Sequence, residues 1–355
     1  MDESVESLFE KLMGSDNPLE QIQVAYALSN HPSKKEALQS LIKALVIPDV
    51  DVKLTILDIF LQPDFFSEDI VLPVSNLLKD EDNEVKKHAA EILGGTKDKR
   101  IVASLINTLN DENQDVRYCV MAALANIGDV SASNALESFM NSENWEDRFY
   151  AIDAIGMLAD KSSIPIFLKA FNDPNPKVKE NAILSAGHYK YPQIIDKLLS
   201  MLEDDAIEVE AAAAYMLGDF KCKSAVKPLI DLCKSNYKDL VWISLESLSK
   251  IKDPESIPAI ISVLNHPARD ISIVAQETLD VFNNSDLIEP LVDAIKKDVI
   301  IEYIQHRMQK FPERKGKRFN IRRYIRGLQL PIWLESLLDE IIISYKEDIN
   351  SGEIN

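Results

Sequence analysis

Apolar residues return along the chain at a fixed interval. Val85, Val116, Asp147, Val178, Val209, Leu240 and Ile271 stand 31 residues apart, and earlier copies begin near Glu20 and Val52 with slightly different spacing. Four residues after these anchors come Ala89, Val120, Ala151, Ala182, Ala213 and Ala275; eight after them come Leu93, Leu124, Ile155, Leu217, Leu248 and Leu279. Positions 0, 4, 7 and 8 share one side of a helix with 3.6 residues per turn, so each copy opens with a helix whose buried flank these residues form. Small side chains at position 4 predict close approach by a neighbouring helix. A glycine nine residues after the anchor, as in Gly94, Gly156, Gly187 and Gly218, and slightly later in Gly128, predicts the end of that first helix.

A second apolar run follows in most copies, among them RIVASLINTL, SIPIFLKAF, AVKPLIDLC and SIPAIISVL. Pro165, Pro228, Pro258 and Pro290 lie near the beginning of such runs, in the first helical turn, where the missing N–H has no intrahelical partner to lose. Polar clusters such as NDENQ and NDPNP close the unit. Each copy therefore reads as two antiparallel helices joined by short turns. With no strand-like alternation and only ten glycines, the chain reads as all-α. One helix pair cannot bury its apolar side alone, but a stack of pairs can. The expectation is an α-solenoid of about nine antiparallel helix pairs over residues 1–297, roughly 80–90 Å long if stacked helices sit about 8–10 Å apart.

The segments DVRYCVMAALANIG, DRFYAIDAIGML and EVEAAAAYMLGDF, at this spacing, resemble the pattern DxxVRxxAAxALGxIG of the short HEAT-like repeat also called the PBS-lyase type. The resemblance spans roughly residues 17–297 and implies a HEAT-like superhelix. It specifies no single activity, because the fold hosts unrelated functions. One position after the anchor the copies carry Lys53, Lys86, Arg117, Arg148 and Lys179, then Glu210, Val241 and Ser272. A ladder pairing those cations with Asp or Asn residues in the turns is expected in the early copies and not in the last three.

Composition narrows the function. A formal charge of −19 and a pI near 4.7 argue against a protein built to hold nucleic acid, which needs clustered cations. Three cysteines, Cys119, Cys222 and Cys233, show no metal-type spacing and point to a reducing compartment. The start, MDESVESLFEKLMGSDN, lacks the basic-then-apolar order of a signal peptide, and no run approaches the ~20 apolar residues of a bilayer span. The expected location is cytoplasmic.

Chemistry finds little footing. Five histidines are scattered with no HExxH and no His-Glu dipeptide, whereas a HEAT-like iron enzyme resembling deoxyhypusine hydroxylase needs paired His-Glu motifs. Acidic turns such as KDEDNE and LEDDA lack a D-x-[DN]-x-[DN]-G loop and read as solvated. No catalytic residue, cofactor or metal ligand is expected. The second helices should present Asn107, Ser138, Lys169, Ser200, Asp231, Ser262 and Asp293 along an inner face, small, polar and mixed in sign. This stripe cannot grip a phosphate backbone, as the DNA glycosylases of HEAT-like type do with cations and aromatics. It either receives a partner protein, with Asn107, Lys169 and Asp231 supplying hydrogen bonds, or is simply solvated.

On the first helices, two positions after the anchor, stand Tyr118, Phe149 and Trp242, with Met121 and Ile152 nearby. At about 200° from the buried flank they form either an exposed aromatic patch for a partner or isolated surface residues.

After Ile295 the period fails, and residues 298–355 read as a separate helical module ending the solenoid. Between Arg307 and Arg326 lie nine cations, among them Arg318, Arg322 and Arg323, against one acid, Glu313. The segment's net charge is +8, so the rest of the chain sums to −27. The segment either caps the acidic solenoid, holds an acidic partner or touches an anionic lipid or nucleic-acid surface. Two functions from different classes remain: a non-enzymatic adaptor that binds another protein, and an accessory subunit resembling the phycobilin lyases that carry this repeat. The lyases tend to show helices of YYAAWWLG type, and the nearest segment here is AAAAYMLGDF with Tyr215 and no tryptophan.

Overall fold

A computed structural model of the chain describes residues 3–282 other than 190 and 265, together with 286 and 290. The described residues contain 18 α-helices and no strand. They fall into two compact units, Met1–Tyr189 and Lys190–Asn355. The first unit holds α1 (Val5–Gly14), α2 (Pro18–Asn30), α3 (Lys34–Ala44), α4 (Val50–Phe60), α5 (Val71–Asn76), α6 (Asn83–Thr96), α7 (Val102–Thr108), α8 (Gln114–Ile127), α9 (Ser133–Ser138), α10 (Trp145–Leu158), α11 (Ile164–Ala170) and α12 (Pro176–Ser185). The second holds α13 (Pro192–Ser200), α14 (Ile207–Asp219), α15 (Val226–Leu232), α16 (Lys238–Ile251), α17 (Ile257–Val263) and α18 (Arg269–Leu279). Among the described residues no helix is long and apolar enough to cross a membrane.

Within each unit the long first helices lie side by side. In the first unit α2 packs on α4, α4 on α6, α6 on α8, α8 on α10 and α10 on α12; in the second, α14 packs on α16 and α16 on α18. From α5 on, each short second helix rests on the first helix that follows it, as α7 does on α8 and α15 on α16, whereas α3 packs on α1 and α2. A first helix flanked on both sides has a wide buried arc. In α8 that arc takes in Val116, Val120, Ala123 and Leu124, as the sequence pattern predicts, and also Met121 and Ala125. Met121 and its counterpart Ile152 are therefore core residues and not part of the outward face, because position 5 turns toward an adjacent first helix.

Of the glycines nine residues after the anchor, Gly187 lies in the 3-10 turn just past the end of α12, as expected, but the other three do not end helices. Gly94, Gly156 and Gly218 lie inside α6, α10 and α14, where the backbone of one first helix touches position 7 of the next. A Cβ on Gly218 would stand 2.7 Å from the Ser247 Cα and one on Gly94 2.8 Å from the Ala123 Cα, so only a hydrogen fits there. Four of these helices instead end at residue 12, in the left-handed conformation. Gly128 (φ 71°) fits the rule, but Lys97, Ala159 and Lys252 take the same turn without glycine's freedom.

Helix starts are capped by a row of side chains three residues before the anchor. Asn17, Asp49, Asp82, Asn113, Asn144 and Asn175 each accept a hydrogen bond from a backbone N–H of the first turn. In the second unit the same position is Ala206, Tyr237 and Ala268, with no side-chain cap. Ala206 already has the extended backbone of a cap residue (φ −96°, ψ 120°). Ala206→Asn is expected to raise the stability of the protein by about 1 kcal/mol, read as a higher midpoint of urea unfolding. A midpoint unchanged or lowered would show that the start of α14 does not accept the cap.

The expected ion-pair ladder is present in the first unit. Lys53 reaches Asp80 (2.6 Å), Lys86 reaches Asp111 (2.7 Å), Arg117 reaches Asp147 (2.8 Å) and Arg148 reaches Asp173 (2.6 Å). The acceptors Asp80, Asp111 and Asp173 lie in the turns, and each also takes the N–H two residues on. Burial pushes the Asp80 and Asp111 carboxyls up, yet the facing ammonium and the turn N–H bonds hold both below the usual carboxylate range. The copy between them and Asp173 is compensated. Its turn carries Ser142 where the other three have Asp80, Asp111 and Asp173, and its anchor is Asp147 where theirs are Val85, Val116 and Val178, so the carboxylate has moved five residues along and still meets Arg117. Ser142 donates its hydroxyl to the same Asp147 carboxylate (2.8 Å). In the second unit burial and the neighbouring Asp204 carboxylate push Glu210 up, so an acid occupies the place of the cation.

Candidate interaction surface

The outward arc of α8 and α10 gathers four aromatic rings. Tyr118 of α8 stacks on Tyr150 of α10 with centroids 4.0 Å apart, Phe149 meets Tyr150 edge-on at 5.3 Å, and Trp145 meets Phe149 edge-on at 6.2 Å. Tyr118 and Phe149, picked from the sequence, are thus joined through Tyr150, which the periodic pattern did not mark because it lies one position further round the helix. Burial, with the Asp147 and Glu146 carboxylates, holds the Tyr118 phenol well above its usual range, so it stays protonated. A polar net pins the upper edge. Asn144 donates to Gln114 Oε1 (3.0 Å) and to the Tyr118 hydroxyl (3.4 Å), and Gln114 donates to Glu146 (2.7 Å).

These rings are only partly covered. Tyr118, Trp145 and Phe149 are half-buried, while Tyr150 is 40% exposed, with Met157 of α10 at 54% and Leu184 of α12 at 47% on the same outward side. Apolar side chains grouped in this way on a polar protein mark contact surfaces more often than scattered ones do. In the second unit Trp242 is exposed on α16 and Tyr215 on α14, with the Lys250 ammonium 4.3 Å from the Tyr215 ring centroid. Lys250 also pairs with Asp219 (2.9 Å) and Glu246 (3.0 Å), so that ring is already engaged.

The second-helix stripe is exposed as expected at Asn107, Ser138, Lys169, Ser200, Asp231 and Ser262. Its polar groups mostly turn back on their own surroundings. Ser138, Ser200 and Ser262 donate to carbonyls three residues earlier, Lys169 donates to Asn141, and Asp231 pairs with Lys234 (2.7 Å). Asp293 and the basic residues Arg318, Arg322 and Arg323 lie outside the described residues. Among the described residues no group of three or more His, Cys, Asp or Glu is placed to hold a metal ion. Cys119, Cys222 and Cys233 are free thiols, and burial pushes Cys233 up to about 12.

The repeat geometry is matched by a family model. The model for HEAT repeats aligns with residues 71–148, 133–207 and 195–280. The chain is a HEAT-repeat protein. No curated protein matches its sequence. Among solved structures, this HEAT-repeat protein superposes on a Kap121p mutant with a TM-score of 0.59 at 10% identity, covering 82% of its own length and 38% of that chain. It also matches the E. coli protein YIBA (TM-score 0.48, 19% identity, 73% of this chain and 96% of that one). Human deoxyhypusine hydroxylase is matched at a TM-score of 0.32 and 17% identity, over 70% of this chain and 96% of that one. These likenesses concern the fold. HEAT solenoids generally mediate contacts between proteins, because stacked repeats offer extended surface in place of a single pocket.

Proposed function

We propose that this HEAT-repeat protein is a non-enzymatic scaffold or adaptor that binds another protein, with the rings of α8 and α10 as its principal contact. The observation that supports this reading is the cluster of Tyr118, Trp145, Phe149 and Tyr150, packed ring to ring and left open on one side. Rings held by one another lose little freedom on binding, and aromatic anchors dominate the energetics of contact surfaces. The second-helix residues Asn107, Lys169 and Asp231, the exposed Trp242, and the basic residues Arg318, Arg322 and Arg323 supply further contacts in this proposal. Three free thiols favour a reducing, cytoplasmic setting.

The test is recovery of partner proteins from a native extract by the full chain and by two double variants. Tyr118→Ala with Phe149→Ala is expected to reduce recovery at least about tenfold, since loss of a ring anchor typically costs 2 kcal/mol or more. Arg322→Glu with Arg323→Glu reports on the basic segment. Unchanged recovery by both folded variants would remove these surfaces from the function.

A further inference from the structure

The aromatic face carries carboxylates, and the two arginines of its own helices are engaged elsewhere. On α8 the charged residues are Asp115 and Arg117; on α10 they are Glu146, Asp147, Arg148 and Asp153. Both arginines are drawn off into the ladder, Arg117 to Asp147 and Arg148 to Asp173. That leaves Asp115 one turn before Tyr118, Glu146 beside the stacked tyrosines, and Asp153 one turn after Phe149 and Tyr150. Glu146 is met by the neutral Gln114 amide. Asp153 is exposed as a residue, yet neighbouring atoms crowd its carboxyl enough that burial pushes it above the ordinary range. Lys87 of α6, whose charge is felt by Asp115, is itself paired with Glu84 at 2.7 Å.

The same face already shows how it holds a cation. The Lys177 ammonium of α12 lies 5.1 Å from the Trp145 ring centroid. A ring face attracts an ammonium or guanidinium through its quadrupole, and a nearby carboxylate adds to the attraction. Resting on the contact-surface reading above, we infer that this face receives a Lys- and Arg-rich segment of a partner protein, its cations laid on Phe149 and Tyr150 and paired with Asp115, Glu146 and Asp153. The apolar Met157 and Leu184 then take the aliphatic stems of those side chains. Asp115, Glu146 and Asp153 repel an acidic segment, and a purely apolar helix would bury them without new partners.

The experiment measures the anisotropy of a fluorescein-labelled peptide of repeating Lys-Arg-Gly against the full chain, beside a Glu-Asp-Gly peptide. A site variant (Asp115→Asn, Glu146→Gln, Asp153→Asn), a ring variant (Phe149→Ser, Tyr150→Ser) and a control that removes as many exposed acids elsewhere (Glu81→Gln, Glu203→Gln, Asp205→Asn) are compared after their folding is checked by circular dichroism. Saturable binding of the basic peptide is expected, weakened about tenfold or more in the site and ring variants and less than about twofold in the control, and weakened by salt in the parent. Equal weakening in site variant and control would assign binding to bulk acidity and overturn the inference, as would no binding or equal binding of the acidic peptide. If these arms fail while Tyr118→Ala with Phe149→Ala still loses its extract partner, the contact surface stands and only the basic character of the partner is wrong.

Discussion

Asp173→Ala is expected to lower the stability of the protein by about 3–5 kcal/mol, the usual effect of removing one member of a buried ion pair. Arg148 and Asp173 face each other through two bonds, Nε to Oδ2 at 2.6 Å and Nη2 to Oδ1 at 2.9 Å, with side chains only 10% and 6% exposed. The guanidinium also donates to the carbonyls of Ser142 and Glu143, so it clamps its own entry turn as well as the turn one repeat ahead. Without Asp173 a charge stays buried with only carbonyls for company, and the Asn175 N–H loses its acceptor. Asp231→Ala supplies the contrast. Its pair with Lys234 is 72% and 69% exposed, and such pairs are worth about 0–1 kcal/mol. Thermal and urea unfolding followed at 222 nm should separate the two variants clearly; a similar small loss in both would mean that the ladder carries no stability.

Two adjacent glycines are expected to respond with opposite signs. Alanine is ordinarily better than glycine inside a helix by about 0.5–1 kcal/mol, and Gly95→Ala should show that gain, since its Cβ would meet only the edge of the Phe66 ring at 3.4 Å. Gly94→Ala would drive a methyl to 2.8 Å from the Ala123 Cα and force α6 away from α8, a loss of about 1–3 kcal/mol. Gly218→Ala meets both Cβ and Cα of Ser247 and should fall at the upper end of that range. Gly156→Ala meets chiefly the Ser185 side chain, so adding Ser185→Gly should restore much of its loss, whereas no single trimming of Ser247 can move its Cα. Stabilisation by Gly94→Ala would show that the first helices do not approach as closely as described.

The repeat itself was legible because burial repeats: the same flank of each first helix meets the same flank of the next, and selection of small and branched apolar residues leaves a 31-residue trace. The ladder was legible where the cation sits at a constant offset. What escaped was chemistry that looks alike in sequence and differs in space. A glycine near the end of an apolar run reads as a helix stop, yet Gly94 and Gly218 are points of backbone contact, and the stops fall on Lys97, Ala159 and Lys252, residues with no turn signature. The row Asn17, Asp49, Asp82, Asn113, Asn144, Asn175 was a readable cap signal that the anchor pattern overshadowed. Asp147 interrupted the apolar anchors for a reason visible only when Arg117 is placed opposite it. At the surface, Tyr118 and Phe149 were found by period, whereas Tyr150 and Lys177 join the patch through contacts between helices that no single copy encodes.

The bare helix starts at Ala206, Tyr237 and Ala268 carry a consequence for how the molecule breathes. In a linear array each repeat answers chiefly to its nearest neighbours, so a missing tie is felt where it is missing. First turns that begin without a side-chain cap will trade protons for deuterons ahead of those in α6, α8 and α10, and opening will begin there.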